Sequence, residues 1–227
     1  MEFTFSQVPI WSYAAAAVAH AVFGVYLGLA WKQGSRGGLL IVAVGVSAAW
    51  AALNWAFAVL GWAWLFQLAN LLDVLRMGAW FVFLVALLRQ PVIQEERIAA
   101  PQWPRLVTMA VISLAAFGVL CLSLGLPVYG TPLRTWAGTS LFTAVYGLVL
   151  LEFFYRSIPE RSRWGGKPVA LALGGLFAFD VYMFADALMF SRLDPVVWSV
   201  RGVVHALTIP LVAISASRNP EWTFRIS

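Results

Sequence analysis

The chain has 227 residues, of which 62% are hydrophobic, 15% aromatic and 11% charged, and its mean hydropathy is +0.83. Soluble globular domains contain roughly 45–50% apolar and about 25% charged residues, so this chain has too little charge to cover a water-soluble fold. Composition therefore excludes a soluble domain, a coiled coil and a disordered chain, and it indicates an integral membrane protein. In a membrane protein, a net charge of +5 is first explained by basic residues in the loops, which set the orientation of the chain in the membrane.

Seven apolar runs follow one another along the chain, each close to the roughly 20 residues that cross the hydrocarbon core as a helix. They are Ile10–Trp31, Gly38–Leu60, Trp62–Leu88, Leu106–Gly125, Leu133–Tyr155, Pro168–Phe190 and Val196–Ser217. Helix is expected because unpaired backbone groups are costly in lipid, and the sequence lacks the alternating strands of a membrane barrel. We therefore predict an all-α polytopic membrane protein, a seven-helix transmembrane bundle, with residues 1–217 as its membrane domain.

Two of the breaks between these runs have a specific local chemistry. Gly61 alone separates the second and third runs, which predicts a tight hairpin. Asp194 followed by Pro195 is typical of a helix start, because the carboxylate can cap the helix and proline fits its first turn.

The distribution of basic residues predicts the orientation of the bundle. Two basic residues, Arg134 and Arg192, fall on one set of alternating loops, and Arg76 and Arg201 fall within spans. The opposite set of loops holds the other eleven: Lys32, Arg36, Arg89, Arg97, Arg105, Arg156, Arg161, Arg163, Lys167, Arg218 and Arg225. By the positive-inside rule, we predict that the N-terminus is outside and the C-terminus is cytoplasmic. Topology accounts for the basic excess, so no nucleic-acid partner is expected.

Several ionisable side chains lie inside the predicted spans, where an Arg, Lys or Asp costs about 2.5–3.5 kcal/mol on insertion scales. Such groups are expected to face the bundle interior and to have partners. We assign them as candidates for a signalling or ligand-binding network: His20, Asp73, Arg76, Asp180, Asp186, Arg201 and His205.

Counting residues from the outer boundary predicts how these groups pair. Spans 6 and 7 are joined by a short turn, so they are antiparallel neighbours. The count places Asp180 level with His205, and Asp186 level with Arg201. In span 3, Arg76 is three residues from Asp73 and can pair with it, or it can reach Asp180 instead.

Two interpretations of this network remain open from sequence alone. The pairs can simply neutralise one another and hold the helices together, or they can line a polar cavity that a ligand, a proton or a neighbouring helix biases. Other polar residues are interpreted as packing groups. Asn54 and Asn70 are expected to hydrogen-bond across the hairpin of spans 2 and 3, and Glu152 to pair with Arg156 at the interface. Span 4 has few polar residues, which predicts a peripheral helix.

The sequence also limits the chemistry available. A retinal Schiff base needs a lysine inside a span, whereas Lys32 and Lys167 are both in loops. Haem ligation by His20 and His205 is geometrically conceivable, but no cofactor is expected, and the single cysteine, Cys121, provides no thiol metal site. Hydrolysis by Asp73 with Asp180 is conceivable, although no hydrolase or nucleotide-binding motif is present. A small ion-coupled transporter or carrier that uses the midplane charges is the main alternative function, although no half-repeat is visible.

One part of the chain resembles a known family. Residues 177–195 (FAFDVYMFADALMFSRLDP), followed by Trp198, Arg201-Gly202 and residues 218–222 (RNPEW), resemble the membrane portion of histidine kinases of the PEP-CTERM (exosortase) system, of the PrsK type. The likeness is strongest over residues 150–222. It implies a homodimeric two-component sensor kinase that works with a response regulator to control exopolysaccharide and exosortase-linked surface proteins.

The chain departs from that family in one respect. In the family, further membrane segments, a GAF domain and the kinase core follow, whereas this sequence stops at Ser227 and both its histidines lie in spans. We therefore expect a sensory membrane module without enzymatic activity of its own. Residues 218–227 would form a cytoplasmic stub before the absent domains, and membrane lipid would be the immediate partner.

Overall fold

The computed structural model describes residues 7–30, 35–88, 103–158 and 163–219, and this part of the chain forms seven helices. These are α1 (Val8–Ala30), α2 (Ser35–Leu60), α3 (Ala63–Leu88), α4 (Trp103–Leu124), α5 (Pro132–Ser157), α6 (Arg163–Phe190) and α7 (Pro195–Arg218). All seven are long and apolar enough to cross a membrane. The predicted all-α seven-span bundle is therefore confirmed. The predicted loop residues Lys32, Arg89, Arg97, Arg161 and Arg225, and most of the expected stub, lie outside the described residues.

Helix α6 begins at Arg163, five residues before the Pro168 at which the sequence predicts a start. Proline inside a helix leaves the carbonyl four residues earlier without its usual donor. Here that carbonyl belongs to Trp164, and it accepts a hydrogen bond from Arg218 Nη1 at 3.2 Å. The start of α6 is thus held against the end of α7, which offsets the bond that Pro168 removes.

The predicted turn chemistry is confirmed at two connections. Gly61 has a φ of +70°, a backbone conformation that glycine adopts at little cost, and it makes the tight turn between α2 and α3. At the start of α7, Asp194 Oδ1 accepts hydrogen bonds from the backbone N–H groups of Val196 (2.7 Å) and Val197 (3.3 Å), with Pro195 in the first turn.

The helices pack as a ring in chain order, and α7 closes it by contacting both α6 and α1. Helix α3 also contacts α5 directly, and α4 packs outside this contact against both helices. Thr108 on α4 and Tyr146 on α5 are hydrogen-bonded through their hydroxyls at 2.8 Å. The prediction that the fourth span is peripheral is thus confirmed.

Helices α1 and α7 run parallel at the seam of the ring. Tyr13 Oη donates to the carbonyl of Trp198 (2.9 Å), and the N–H of Val203 donates to Ser12 Oγ (2.9 Å), so both helices start at the same end of the bundle. Gly202 allows this approach, since a Cβ there would lie 2.6 Å from the backbone of Ser12.

Three apolar clusters form the interior. The largest fills the half of the bundle that contains Leu40, Leu84 and Phe177. A second lies among α3, α4, α5 and α6 around Phe184, and a third lies between α1 and α2 around Trp50. Along α3, Asp73 is next to Val74 of the second cluster, and Arg76 is next to Met77 of the largest cluster.

Candidate functional site: a buried four-charge cluster

Four of the ionisable residues that the sequence singles out converge at one place, which we call the four-charge cluster: Asp73 and Arg76 on α3, Asp180 on α6 and Arg201 on α7. Arg76 and Asp180 are fully buried, and Arg201 is 4% exposed. Asp73 lies ten residues beyond Ala63 and Asp180 ten residues before Phe190, so both are about 15 Å along their helices from the same end of the bundle.

Each arginine of the cluster bonds both aspartates. Arg76 donates to Asp73 Oδ1 from Nε (2.9 Å) and Nη2 (2.6 Å), and its Nη2 also donates to Asp180 Oδ2 (3.2 Å). Arg201 donates from Nε to Asp180 Oδ1 (2.8 Å) and from Nη2 to Asp73 Oδ2 (2.9 Å). Both pairings that the sequence leaves open for Arg76 are therefore present together.

The cluster is neutral, because two guanidinium groups face two carboxylates. Burying a charge without a partner is expensive, whereas a buried pair with good hydrogen-bond geometry is tolerated. Removing one member would leave an excess charge in a place that lipid and protein both isolate from water. The four residues consequently tie α3, α6 and α7 together as one unit.

An aromatic side chain that the sequence analysis missed supports the cluster. The ring centroid of Trp50, on α2, lies 4.7 Å from Arg76 Cζ and 4.9 Å from Arg201 Cζ, which is cation–π distance for both. The ring centroid of Phe184, on α6, lies 5.5 Å from Arg201 Cζ. One sequence signal could have identified Trp50: it lies mid-span, whereas membrane tryptophans favour the interfaces.

His205 and His20 are both buried near the cluster. Arg76 Nη1 lies 3.3 Å from His205 Nδ1, and because arginine only donates, Nδ1 is the acceptor and Nε2 carries the hydrogen. That Nε2–H has no hydrogen-bond partner in the part of the chain that the structure describes. The imidazole ring of His205 also packs against the ring of Trp50, and their centroids are 4.4 Å apart. His20 bonds its own helix instead, since its Nδ1 donates to the carbonyl of Ala16 (2.8 Å).

The predicted pairing of Asp186 with Arg201 is wrong. Arg201 bonds Asp180 and Asp73, and half-buried Asp186 has no ion pair or hydrogen bond to any described residue. The predicted match of Asp180 with His205 is also replaced by the Asp180–Arg201 ion pair. Counting residues aligns the backbones of two helices, but an arginine side chain is long enough to bond a carboxylate a helical turn away.

The packing residues have mixed outcomes. The expected hydrogen bond between Asn54 and Asn70 is absent: Asn54 Nδ2 donates to the carbonyl of Trp50 in its own helix (2.9 Å), and Asn70 Nδ2 has no partner among the described residues. A helical asparagine can reach the carbonyl one turn back, which competes with a bond between helices. Glu152 and Arg156 do form the predicted ion pair, and both side chains are exposed.

Asp73 is the cluster member that is least enclosed. Its side chain is 13% exposed, and it faces a recess of about 20 Å³ that Ser140, Thr143 and Phe184 also line. Asp73, Ser140 and Thr143 give this mostly apolar recess its polar groups, and its volume admits one water molecule. Both carboxylates of the cluster are nevertheless occupied by guanidinium groups, so the arrangement suits holding and exchanging charge pairs more than acid–base chemistry. Among the described residues, no group of three or more His, Cys, Asp or Glu could hold a metal ion.

Comparisons with protein-family models, with curated proteins and with solved structures give no match to this chain.

Proposed function

We propose that this chain is the transmembrane sensory module of a two-component histidine kinase, embedded in a bacterial inner membrane. The observation that carries the proposal is that each arginine of the four-charge cluster bonds both aspartates. A stimulus would act on this cluster and shift α7 relative to α3 and α6. The module would act on a kinase core in a homodimeric parent protein, which would phosphorylate a response regulator.

Support comes from where the family-like residues fall in the fold. The stretch 177–195 covers the end of α6 and the turn into α7, and it contains Asp180. Arg201, which belongs to the same resemblance, is the ion-pair partner of Asp180. The part of the sequence that resembles sensor kinases is thus the part that joins α6 to α7 through the cluster.

The geometry also suits a switch with two states. Either Arg76 pairs mainly with Asp73 while Arg201 pairs with Asp180, or the two arginines exchange partners. The second arrangement leaves no buried charge unpaired, so it avoids the large penalty of a broken pair. Packed interfaces that have two such arrangements respond to a small local change with a discrete shift of an element.

A small ion-coupled transporter that uses the same charges is the alternative. A carrier must exchange its occupant with water, and its site usually lies between broken helices at the midplane. Here the charges neutralise one another, and the recess beside Asp73 holds about 20 Å³. These observations favour a relay over a carrier. A solute flux in proteoliposomes that is abolished by Asp73→Asn would instead favour transport.

The proposal is tested in the native organism with single substitutions that remove one charge and keep a polar side chain. We expect Asp180→Asn and Arg201→Gln to change the phosphorylation of the response regulator at least fivefold, the lower end of usual coupling between sites. Asp186→Asn is the matched control. Asp186 is on α6, as Asp180 is, but its carboxylate has no partner among the described residues. Immunoblots of membrane fractions establish equal amounts of each variant. Unchanged phosphorylation for both cluster variants across inducing conditions would reject the proposal.

A further inference from the structure

A long apolar groove lies on the outer face of α5 and α6. Its volume is about 970 Å³, and its walls include Val145, Leu148 and Val149 on α5 and Leu171 on α6. Leu171 is 68% exposed, so the groove opens toward the surroundings of the bundle. In a membrane, those surroundings are acyl chains.

Charged side chains lie at one end of this groove. Arg156, near the end of α5, and Lys167, near the start of α6, line it together with Glu152. Glu152 forms an ion pair with Arg156, whereas Lys167 makes no ion pair with any described residue. Its Nζ lies 4.7 Å from the ring centroid of Trp164, which is 71% exposed. The three charged groups that line the groove carry a net charge of +1.

We propose that this groove binds an anionic phospholipid, with the phosphate at Lys167 and Arg156 and an acyl chain along the apolar wall. Val145 lies eleven residues before Arg156, or about 16 Å along the helix, which is half of the roughly 30 Å hydrocarbon core and so the depth of one leaflet. Basic pockets between transmembrane helices bind anionic headgroups in this way. The single net positive charge fits a headgroup with one net negative charge.

A second groove in the same fold provides a comparison that has a similar volume but no charge. The groove between α3 and α4 has a similar volume, about 790 Å³, and its polar lining residues are Gln67, Ser113 and Ser123. No ionisable side chain is among the described residues that line it. We expect it to hold lipid without preference for headgroup charge. The inference about the α5–α6 groove does not depend on the proposed sensory function.

The test is a lipid titration of the purified chain in mild detergent, read by native mass spectrometry. The probes are phosphatidylglycerol and phosphatidylethanolamine with identical acyl chains. We expect tighter binding of phosphatidylglycerol, about a fivefold loss of that affinity for Lys167→Gln, and retention of it for Lys167→Arg. Arg105→Gln is the matched control, because it removes a basic residue that lines a different and smaller groove of about 330 Å³.

Two further measurements separate the contribution of the apolar wall from that of the phosphate group alone. Leu171→Trp should fill the groove and weaken binding of both lipids, because it changes the apolar wall and leaves the charges intact. Inorganic phosphate at millimolar concentration should not displace phosphatidylglycerol. Equal affinity for the two lipids, an unchanged affinity in Lys167→Gln, or displacement by inorganic phosphate would each overturn the proposal.

Discussion

At the scale of single residues, the main feature is that no charge of the four-charge cluster has only one partner. Arg76 and Arg201 each contact Asp73 and Asp180, and Trp50 lies against both guanidinium groups. The loss of one residue therefore removes an ion-pair partner from two others. Interactions of this kind are not additive, and double-mutant cycles measure the coupling.

We expect Asp180→Asn or Arg201→Gln alone to lower the free energy of unfolding by about 3–5 kcal/mol, because each leaves an unbalanced buried charge. The double variant removes one charge of each sign and retains the Asp73–Arg76 pair. Its cost should be smaller than the sum of the single costs by about 0.5–3 kcal/mol. Unfolding by sodium dodecyl sulfate in mixed micelles, followed by tryptophan fluorescence, measures all three. Additive costs would show that the residues act independently.

At the scale of the helices, the bundle is closed by a close approach between α1 and α7. Gly202 is the residue that permits it, and hydrogen bonds from Tyr13 and to Ser12 accompany it. Small residues at helix interfaces let backbones come together in membranes, where helix association depends on packing. The position of α7, which carries Arg201, thus depends on this seam.

Gly202→Ala should therefore destabilise the bundle by about 1–3 kcal/mol, since the new methyl group meets the backbone of Ser12 at 2.6 Å and one helix must move. Gly175→Ala is the matched control on α6, where a Cβ meets nothing within 4 Å, and replacing this helical glycine should leave stability unchanged or raise it by up to about 1 kcal/mol. Thermal unfolding of the two purified variants in the same detergent compares them. Equal stability of both variants would contradict the close contact.

At the scale of the whole molecule, the parallel arrangement of α1 and α7 places Val8 and Arg218 at opposite ends of the bundle. The basic residues of the described part are concentrated at the end where α7 finishes, among them Arg105, Arg156 and Lys167. The positive-inside rule predicts that this end faces the cytoplasm. That orientation stays a prediction from charge.

Orientation can be tested by labelling with a membrane-impermeant maleimide in a Cys121→Ala background, which removes the one native cysteine. Val128→Cys lies in the turn between α4 and α5 and should react in right-side-out spheroplasts, while Ser217→Cys near the end of α7 should react only after lysis. Both positions are exposed, so burial does not bias the comparison. The reverse pattern would invert the orientation.

The number, order and approximate bounds of the helices were predictable from the sequence. A membrane requires long apolar runs with internally satisfied backbones, and turns such as Gly61 and Asp194-Pro195 have local chemistry that a linear sequence displays. The convergence of ionisable residues was also predictable in outline, because contact with lipid is costly for them and they are therefore expected in the bundle interior. The Asp73–Arg76 pair follows directly from helical spacing.

The identity of the remaining partners was decided only by the tertiary structure. The sequence could not show that Arg201 bonds Asp180 and Asp73 while Asp186 stays outside, because pairing depends on how each helix is rotated and on how far an arginine extends. Nor could it place Trp50 beneath both arginines, since α2 meets them only when the ring of helices closes. Chain order and hydropathy are local properties, whereas contacts among α2, α3, α6 and α7 arise from packing of the whole bundle.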